Sequence, residues 1–204
     1  MKDFYEHYWE ERGSSGFRPR YRLFIDWIDR NDRILDIGCG DGYFGELLVK
    51  EKGVVYQGID IAETAVQKAR HRGLDVRTMD IEKDLHTIPD KHYDIVVISE
   101  VIEHVVHAED ILKELKRIAK KGVIVSIPNI AYWKFRLQLL TGSFPKQWAV
   151  APQEHLRYWS VSDFIHTVEQ IGFMVDRVQA SNGRKPLRDW WPNMFGLQVC
   201  FYLR

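Results

Sequence analysis

Short runs of apolar residues recur along the chain, and segments whose apolar positions follow helical spacing separate most of them. Apolar runs rich in β-branched and aromatic residues predict strands, here at residues 33–37, 54–60, 74–79, 93–98, 121–127, 173–179 and 196–203. Helical spacing predicts helices at residues 17–30, 43–51, 62–72, 108–120 and 161–171. This alternation predicts an α/β fold with a parallel sheet and helices on both faces. We expect a loop without a helix between the last two strands, which would therefore pair antiparallel.

The domain organisation follows from the absence of internal repeats and of any linker long enough to separate two domains. We expect one domain over residues 31–204, preceded by a helical segment at residues 1–30. The aromatic stretch Phe4–Trp9 is compatible with a lid over a binding site and equally with a helix face packed on the sheet.

Charge and composition narrow the class of ligand and partner. The chain has 29 acidic and 29 basic residues, so it lacks the excess of positive charge that favours nucleic acid, and we expect a small-molecule partner. No apolar run approaches the length of about 18 residues that a membrane span needs, and the first residues lack a signal peptide's hydrophobic stretch, so we expect a cytoplasmic protein. Cys39 and Cys200 are too few for a disulfide framework or a cysteine metal site.

A glycine-rich turn follows the first predicted strand, in the segment Ile34–Gly42. Glycine lacks a Cβ atom, so the backbone can lie against a bulky ligand, and here glycines alternate at positions 38, 40 and 42. The turn joins a strand to a helix, as in nucleotide-binding βα units. Asp36 and Asp41 add two carboxylates where a phosphate would be repelled. The turn therefore predicts a nucleotide-like ligand that is cationic or zwitterionic and lacks phosphate.

The run from Asp36 to Gly42 resembles motif I of the class I S-adenosylmethionine-dependent methyltransferases. The resemblance implies a Rossmann-like, seven-stranded and mostly parallel sheet with an antiparallel last strand. It also implies the cofactor S-adenosyl-L-methionine, whose ammonium and sulfonium suit the two carboxylates, and the product S-adenosyl-L-homocysteine. The expected cofactor-binding residues come from the turn and from the ends of predicted strands: Asp36, Gly38, Cys39, Gly40, Asp41, Gly42, Asp60, Ile61, Asp80, Ile81 and Ser99.

Three of these residues have separate expected positions in the site. Asp60 ends the second predicted strand, where a carboxylate can accept both ribose hydroxyls, although Asp is also a favoured helix N-cap. The resemblance assigns Asp80 to the adenine amino group. Ser99 belongs to the strand that we expect to border both the cofactor and the methyl acceptor.

Methyl transfer to a hydroxyl group requires a base, and the chain offers candidates in two places. Glu103 and His104 follow the fourth predicted strand, and His155 lies next to Glu154 farther along the chain. Histidine suits proton transfer near neutral pH, but His104 is also compatible with a place at the start of the next helix. The carboxylates and histidines of residues 100–107 match metal-ligand spacing only weakly, so we expect no metal.

The segment Pro128–Gln138, together with the glycine turn, resembles the methionine-biosynthesis protein W family over about residues 32–175. That resemblance implies a methyltransferase-like protein associated with an acyltransferase, homoserine O-acetyltransferase. The segment Glu100–His104 instead resembles small-molecule methyltransferases of the ubiquinone-biosynthesis type. Two functions remain open: a methyltransferase acting on an oxygen or nitrogen of a small molecule by direct displacement, and a cofactor-binding partner protein without its own methylation. The composition is compatible with a monomer and with a homodimer.

Overall fold

A computed structural model of the protein describes residues 2–145 and 155–204. The described residues form seven strands: β1 Arg33–Ile37, β2 Val55–Asp60, β3 Val76–Thr78, β4 Tyr93–Ser99, β5 Ala119–Pro128, β6 Val175–Gly183 and β7 Gly196–Leu203. They make one sheet in the order β3-β2-β1-β4-β5-β7-β6. Strands β1 to β5 pair in parallel, whereas β7 is antiparallel to both β5 and β6. The predicted fold, a mostly parallel seven-stranded sheet with a reversed last strand, is confirmed.

Ten helices pack around the sheet in this part of the chain: α1 Lys2–Glu11, α2 Pro19–Trp27, α3 Tyr43–Lys52, α4 Glu63–His71, α5 Ile81–Asp84, α6 Ala108–Ile118, α7 Trp133–Leu140, α8 Val161–Gln170, α9 Leu187–Trp190 and α10 Pro192–Phe195. The five predicted helices correspond to α2, α3, α4, α6 and α8. The expectation of a helix-free connection before β7 was wrong, because α9 and α10 lie there. Pro192 begins α10, where a proline's fixed φ favours helix initiation. None of the helices described is both long and apolar enough to span a membrane.

Both faces of the sheet are covered, as its continuous apolar strands require. In β1, Leu35 and Ile37 belong to the core cluster on the side of α6 and α8, whereas Ile34 belongs to the cluster on the side of α2 and α3. All three side chains are fully buried. The sheet therefore forms a rigid middle layer, and its polar residues collect at the strand ends.

Candidate functional site at the carboxyl ends of the strands

A cavity of about 800 Å³ lies at the carboxyl ends of β1, β2, β3 and β4. It is lined by all but one of the predicted cofactor-binding residues, namely Asp36, Gly38, Cys39, Gly40, Asp41, Asp60, Ile61, Asp80, Ile81 and Ser99. The exception is Gly42, which begins α3 with a φ of 76°. A Cβ atom on Gly42 would lie 2.7 Å from Leu74 and 2.8 Å from Ala69, so this glycine permits close packing against α4 and the loop after it.

Asp60 connects β2 to the glycine turn. Its Oδ2 accepts a hydrogen bond from the Gly40 amide at 2.9 Å, and its Oδ1 accepts one from the Ala62 amide at 3.0 Å. The N-cap of α4 is Ala62, so the N-cap alternative for Asp60 does not apply. Burial raises the pKa of Asp60 despite these two bonds. Each carboxylate oxygen has a second lone pair, so Asp60 can also accept hydrogen bonds from a ligand in the cavity.

The pKa values of Asp36 and Asp41 shift in opposite directions, although both residues are carboxylates in or beside the glycine turn. Burial raises the pKa of Asp36 to about 7, while the hydroxyl of Tyr56 opposes that shift. Burial would also raise the pKa of Asp41, but the Ser15 amide and the Arg72 guanidinium outweigh it and lower the pKa. The Arg72 Nη2 lies 3.0 Å from Asp41 Oδ2, which offsets the charge of that carboxylate. Asp36 is therefore the carboxylate whose charge is most responsive to a cationic ligand.

Asp80 begins the short helix α5 at the outer end of the cavity. Its Oδ1 accepts a hydrogen bond from the Glu82 amide at 3.1 Å, and its Oδ2 lies 2.8 Å from the Lys83 ammonium. Both contacts lie at the start of α5. Asp80 and its neighbour Ile81 both line the cavity.

Arg20 reaches the cavity from α2, and the sequence reasoning did not identify it. Its Nε donates a hydrogen bond to Ser99 Oγ at 2.7 Å, and its Nη1 donates one to Gln198 Oε1 at 3.4 Å. No sequence motif identifies this arginine, because the residues that it contacts belong to strands that are distant in the sequence. It brings a fixed cation to the end of β4, where it can bind a ligand's carboxylate.

The three predicted catalytic residues lie together at one side of the cavity. Glu103 and His104 form a single 3-10 turn after β4, and His104 is therefore not the cap of α6, which is His107. The His104 Nε2 lies 3.8 Å from Glu103 Oε1, and the rings of His104 and His155 are 4.8 Å apart. Candidate ligand atoms of all three residues lie within 4.8 Å of one another, so the cluster can share a proton or a divalent cation. Glu154 lies outside the described residues.

Glu103 has the most unusual environment in this cluster. Its side chain is 1% exposed, and its Oε2 has no hydrogen-bond partner among the described residues. Burial, with the nearby carboxylate of Glu100, raises the pKa of Glu103 well above its ordinary value. The carbonyl of Glu103 accepts hydrogen bonds from the amides of Leu156 and Arg157 at 2.9 and 3.1 Å, which brings His155 to the cavity.

Helix α1 lies over the cavity, and none of its residues is buried. The ring of Trp9 lies so close to Gly40, whose φ is 56°, that a Cβ there would be 2.6 Å from it. The ammonium of Lys68 on α4 donates hydrogen bonds to the carbonyls of Trp9 and Arg12. Helix α1 therefore contacts the glycine turn and α4 and lines part of the cavity.

The sequence model described as "Methionine biosynthesis protein MetW" matches residues 18–203. A ubiquinone biosynthesis O-methyltransferase from Hydrogenovibrio crunogenus is 32% identical over 145 residues, which are 65% of this chain and 60% of that protein. A bifunctional methionine biosynthesis protein MetXA/MetW from Rhodopirellula baltica is 23% identical over 171 residues, 74% of this chain and 26% of that protein. The chain thus spans less than two thirds of the length of these curated relatives.

Solved structures of methyltransferases have the same fold. A SAM-dependent methyltransferase from Archaeoglobus fulgidus superposes with a TM-score of 0.70 at 22% identity, covering 90% of each chain. Magnesium protoporphyrin IX methyltransferase from Synechocystis, solved with bound SAH, also gives a TM-score of 0.70, at 16% identity over 99% of this chain and 96% of that one. The chain therefore belongs to the methionine biosynthesis protein MetW family and has the fold of the class I S-adenosylmethionine-dependent methyltransferases.

Proposed function

We propose that the protein binds S-adenosyl-L-methionine and transfers its methyl group to an oxygen or nitrogen of a small-molecule acceptor. The observation that carries this proposal is the cluster of buried Glu103 with the partly buried His104 and His155 on the wall of the same cavity as the glycine turn. A protein that only binds the cofactor does not need candidate bases at that position. The base cluster favours a hydroxyl acceptor, because a hydroxyl must lose its proton during the transfer.

The cavity offers a complementary group for each part of the cofactor. Asp60 can accept the ribose hydroxyls, and Asp80 with Ile81 lies where the adenine would extend. Asp36 can attract the ammonium and sulfonium charges, while Arg20 can bind the carboxylate. These roles fit the burial and hydrogen bonds of the described residues.

The residues of the cluster would act by positioning the acceptor and taking its proton. The bound cofactor supplies an electrophilic methyl group on a sulfonium. Glu103, with its raised pKa, is a stronger base than an exposed carboxylate. His104 or His155 would take the proton of an acceptor hydroxyl during the transfer, and Glu103, whose Oε1 lies 3.8 Å from His104 Nε2, would position the imidazole. Helix α1 would exclude water from this step.

The test is transfer of a labelled methyl group from S-adenosylmethionine to a panel of phenols, alcohols, amines and carboxylic acids. We expect label in an acceptor from the hydroxyl or amine sets, with S-adenosylhomocysteine formed in equal amount. If the protein binds the cofactor but labels none of these acceptors, the proposed activity is wrong.

A second candidate function is supported by the relative that joins MetXA and MetW in one chain. In this candidate the protein binds the cofactor and regulates or completes a partner acyltransferase such as homoserine O-acetyltransferase. Addition of the purified protein would then raise the acyltransferase rate while labelled methyl stays on the cofactor. Unchanged acyltransferase activity would contradict this candidate.

A further inference from the structure

Two polar residues on β6 and β7 are buried on the side of the sheet that α2 covers. Gln198 on β7 is 7% exposed and Ser181 on β6 is 3% exposed. Along β7, the alternate residues Cys200 and Tyr202 belong to the apolar cluster on the side of α2. A buried amide is costly unless it is hydrogen-bonded, so the pair requires a physical reason.

The hydrogen bonds of Gln198 provide that reason. Its Oε1 accepts a bond from Ser181 Oγ at 2.8 Å and one from Arg20 Nη1 at 3.4 Å. Because both the hydroxyl and the guanidinium can donate to it, the atom facing them is the amide oxygen. Gln198 thus joins β6 and β7 to the cation at the end of β4.

Arg20 is held from two directions by this arrangement. Ser99 Oγ accepts from Nε at 2.7 Å, and Gln198 Oε1 accepts from Nη1. Ser99 is itself 3.0 Å from Ser126, whose hydroxyl donates to Glu100 at 2.9 Å. Among the described residues, Arg20 Nη2 has no hydrogen-bond acceptor. An arginine side chain has many rotamers, so fixing two of its nitrogens presents the third to a ligand at low entropic cost.

We propose that Gln198 and Ser181 are positioning residues that orient the Arg20 guanidinium toward the carboxylate of the bound cofactor. They act through Arg20 and do not touch the reacting atoms. The inference rests on the proposed cofactor site but not on methyl transfer, so it holds for either candidate function. It also assigns a binding role to β6 and β7, the strands farthest from the glycine turn.

The test compares two ligands that differ in one group. S-adenosylhomocysteine carries the carboxylate, and decarboxylated S-adenosylhomocysteine lacks it. We expect Gln198→Met to weaken the first ligand about tenfold by titration calorimetry, and Ser181→Ala to weaken it less. Both variants leave the second ligand's affinity within about twofold of the parent protein's, because its other contacts remain.

Gln179→Met is the matched control, since Gln179 is an exposed glutamine on β6 and makes no hydrogen bond to Arg20 in the described part of the chain. Arg20→Met should weaken only the ligand with a carboxylate, and adding Gln198→Met should then have no further effect. Thermal unfolding of each variant shows whether the fold is intact, and Ser181→Ala provides the smaller change if Gln198→Met is unstable.

Two results would overturn the positioning role while leaving the cofactor site in place. One is equal weakening of both ligands by Gln198→Met, and the other is full affinity of Gln198→Met where Arg20→Met loses it. If Arg20→Met binds S-adenosylhomocysteine normally, the carboxylate is bound elsewhere and the inference fails at its first step. If the parent protein binds neither ligand, the proposed cofactor site itself is wrong.

Discussion

Glu6 accepts hydrogen bonds from both the backbone amide and the hydroxyl of Thr64, at 3.0 and 2.8 Å. A third bond, from the Glu63 amide at 2.8 Å, completes a cap on α4 that comes from a different helix. The Thr64 amide lowers the pKa of Glu6, so the carboxylate is ionised at the positive end of the α4 dipole. Helix α1 is therefore attached to α4 by polar contacts, in addition to the packing of Trp9 against Gly40.

The first prediction concerns this attachment. Glu6→Ala should release α1 and weaken S-adenosylhomocysteine binding about threefold to tenfold, at about 0.7 to 1.4 kcal/mol for the lost cap. Amide hydrogen exchange within residues 2–11 should rise in the same variant. Glu10→Ala is the control, because within residues 2–145 and 155–204 the one ion pair of Glu10 is with the exposed His7 on the same helix. Equal behaviour of the two variants would show that the cap does not hold α1 in place.

The second prediction concerns the hydrogen bond of 2.7 Å that Tyr56 donates to Asp36. Burial holds the pKa of Asp36 at about 7 rather than 3.8, so the folded protein carries an extra proton between about pH 4 and 7. The contribution of this group to stability therefore falls as the pH rises through that window. A cationic ligand favours the ionised carboxylate and lowers its pKa, so binding releases the proton. S-adenosylmethionine should thus bind more tightly as the pH rises from 5 to 7, by at most about tenfold per pH unit.

Calorimetric titrations in two buffers of different ionisation enthalpy measure that proton release at pH 6. Asp36→Asn should remove most of it, because the amide does not titrate, while retaining an acceptor for Tyr56. Binding without proton release at pH 6 would contradict the charge state assigned to Asp36.

The third prediction concerns the ribose. Asp60→Asn should weaken S-adenosylhomocysteine binding by about 1.5 to 3 kcal/mol, because the ribose hydroxyls lose a charged acceptor. Asparagine is preferable to alanine because its single oxygen can still accept from the Gly40 amide or from the Ala62 amide, whereas alanine loses both bonds. An analogue without ribose hydroxyls should bind the variant and the parent protein equally. Unchanged affinity for S-adenosylhomocysteine would refute the ribose assignment.

The fourth prediction concerns the base cluster, once an acceptor has been found. Glu103→Gln and His104→Gln should each lower kcat about a hundredfold or more while S-adenosylhomocysteine affinity stays near that of the parent protein. His107→Gln is the control, since His107 is exposed and caps α6. A parent-like kcat in both cluster variants would remove proton transfer from the mechanism.

Much of the fold could be predicted because its signals are local. Strand β4 contains the apolar run Ile95–Ile98, and the glycine turn occupies a few consecutive residues. Helices α9 and α10 were missed because they have four residues each, too few to show a period. Helix α1 lies within the predicted helical segment 1–30, but it buries no residue, so no core contact marks where it begins and ends.

Residues of the site could be predicted only where they belong to a recognisable sequence motif. Asp36 and Asp60 stand in recognisable positions, but Arg20 is identified only by its contact with Ser99, 79 residues away. His155 approaches Glu103 because backbone bonds from Leu156 and Arg157 hold that segment. Pairings of this kind depend on how distant segments pack, which the local pattern of one sequence does not encode. The opposite pKa shifts of Asp36 and Asp41 likewise follow from burial and from Arg72.

The bond between Arg20 and Gln198 joins residues 178 positions apart and connects α2 to a strand that lies between β5 and β6. A ligand that binds Arg20 therefore also disfavours the local unfolding in which β7 separates from α2. Occupancy of the cavity should slow amide exchange in β7, a strand that contributes no wall to it. Ligand binding at the glycine turn would then raise the free energy of local opening of β7, two strands beyond β4.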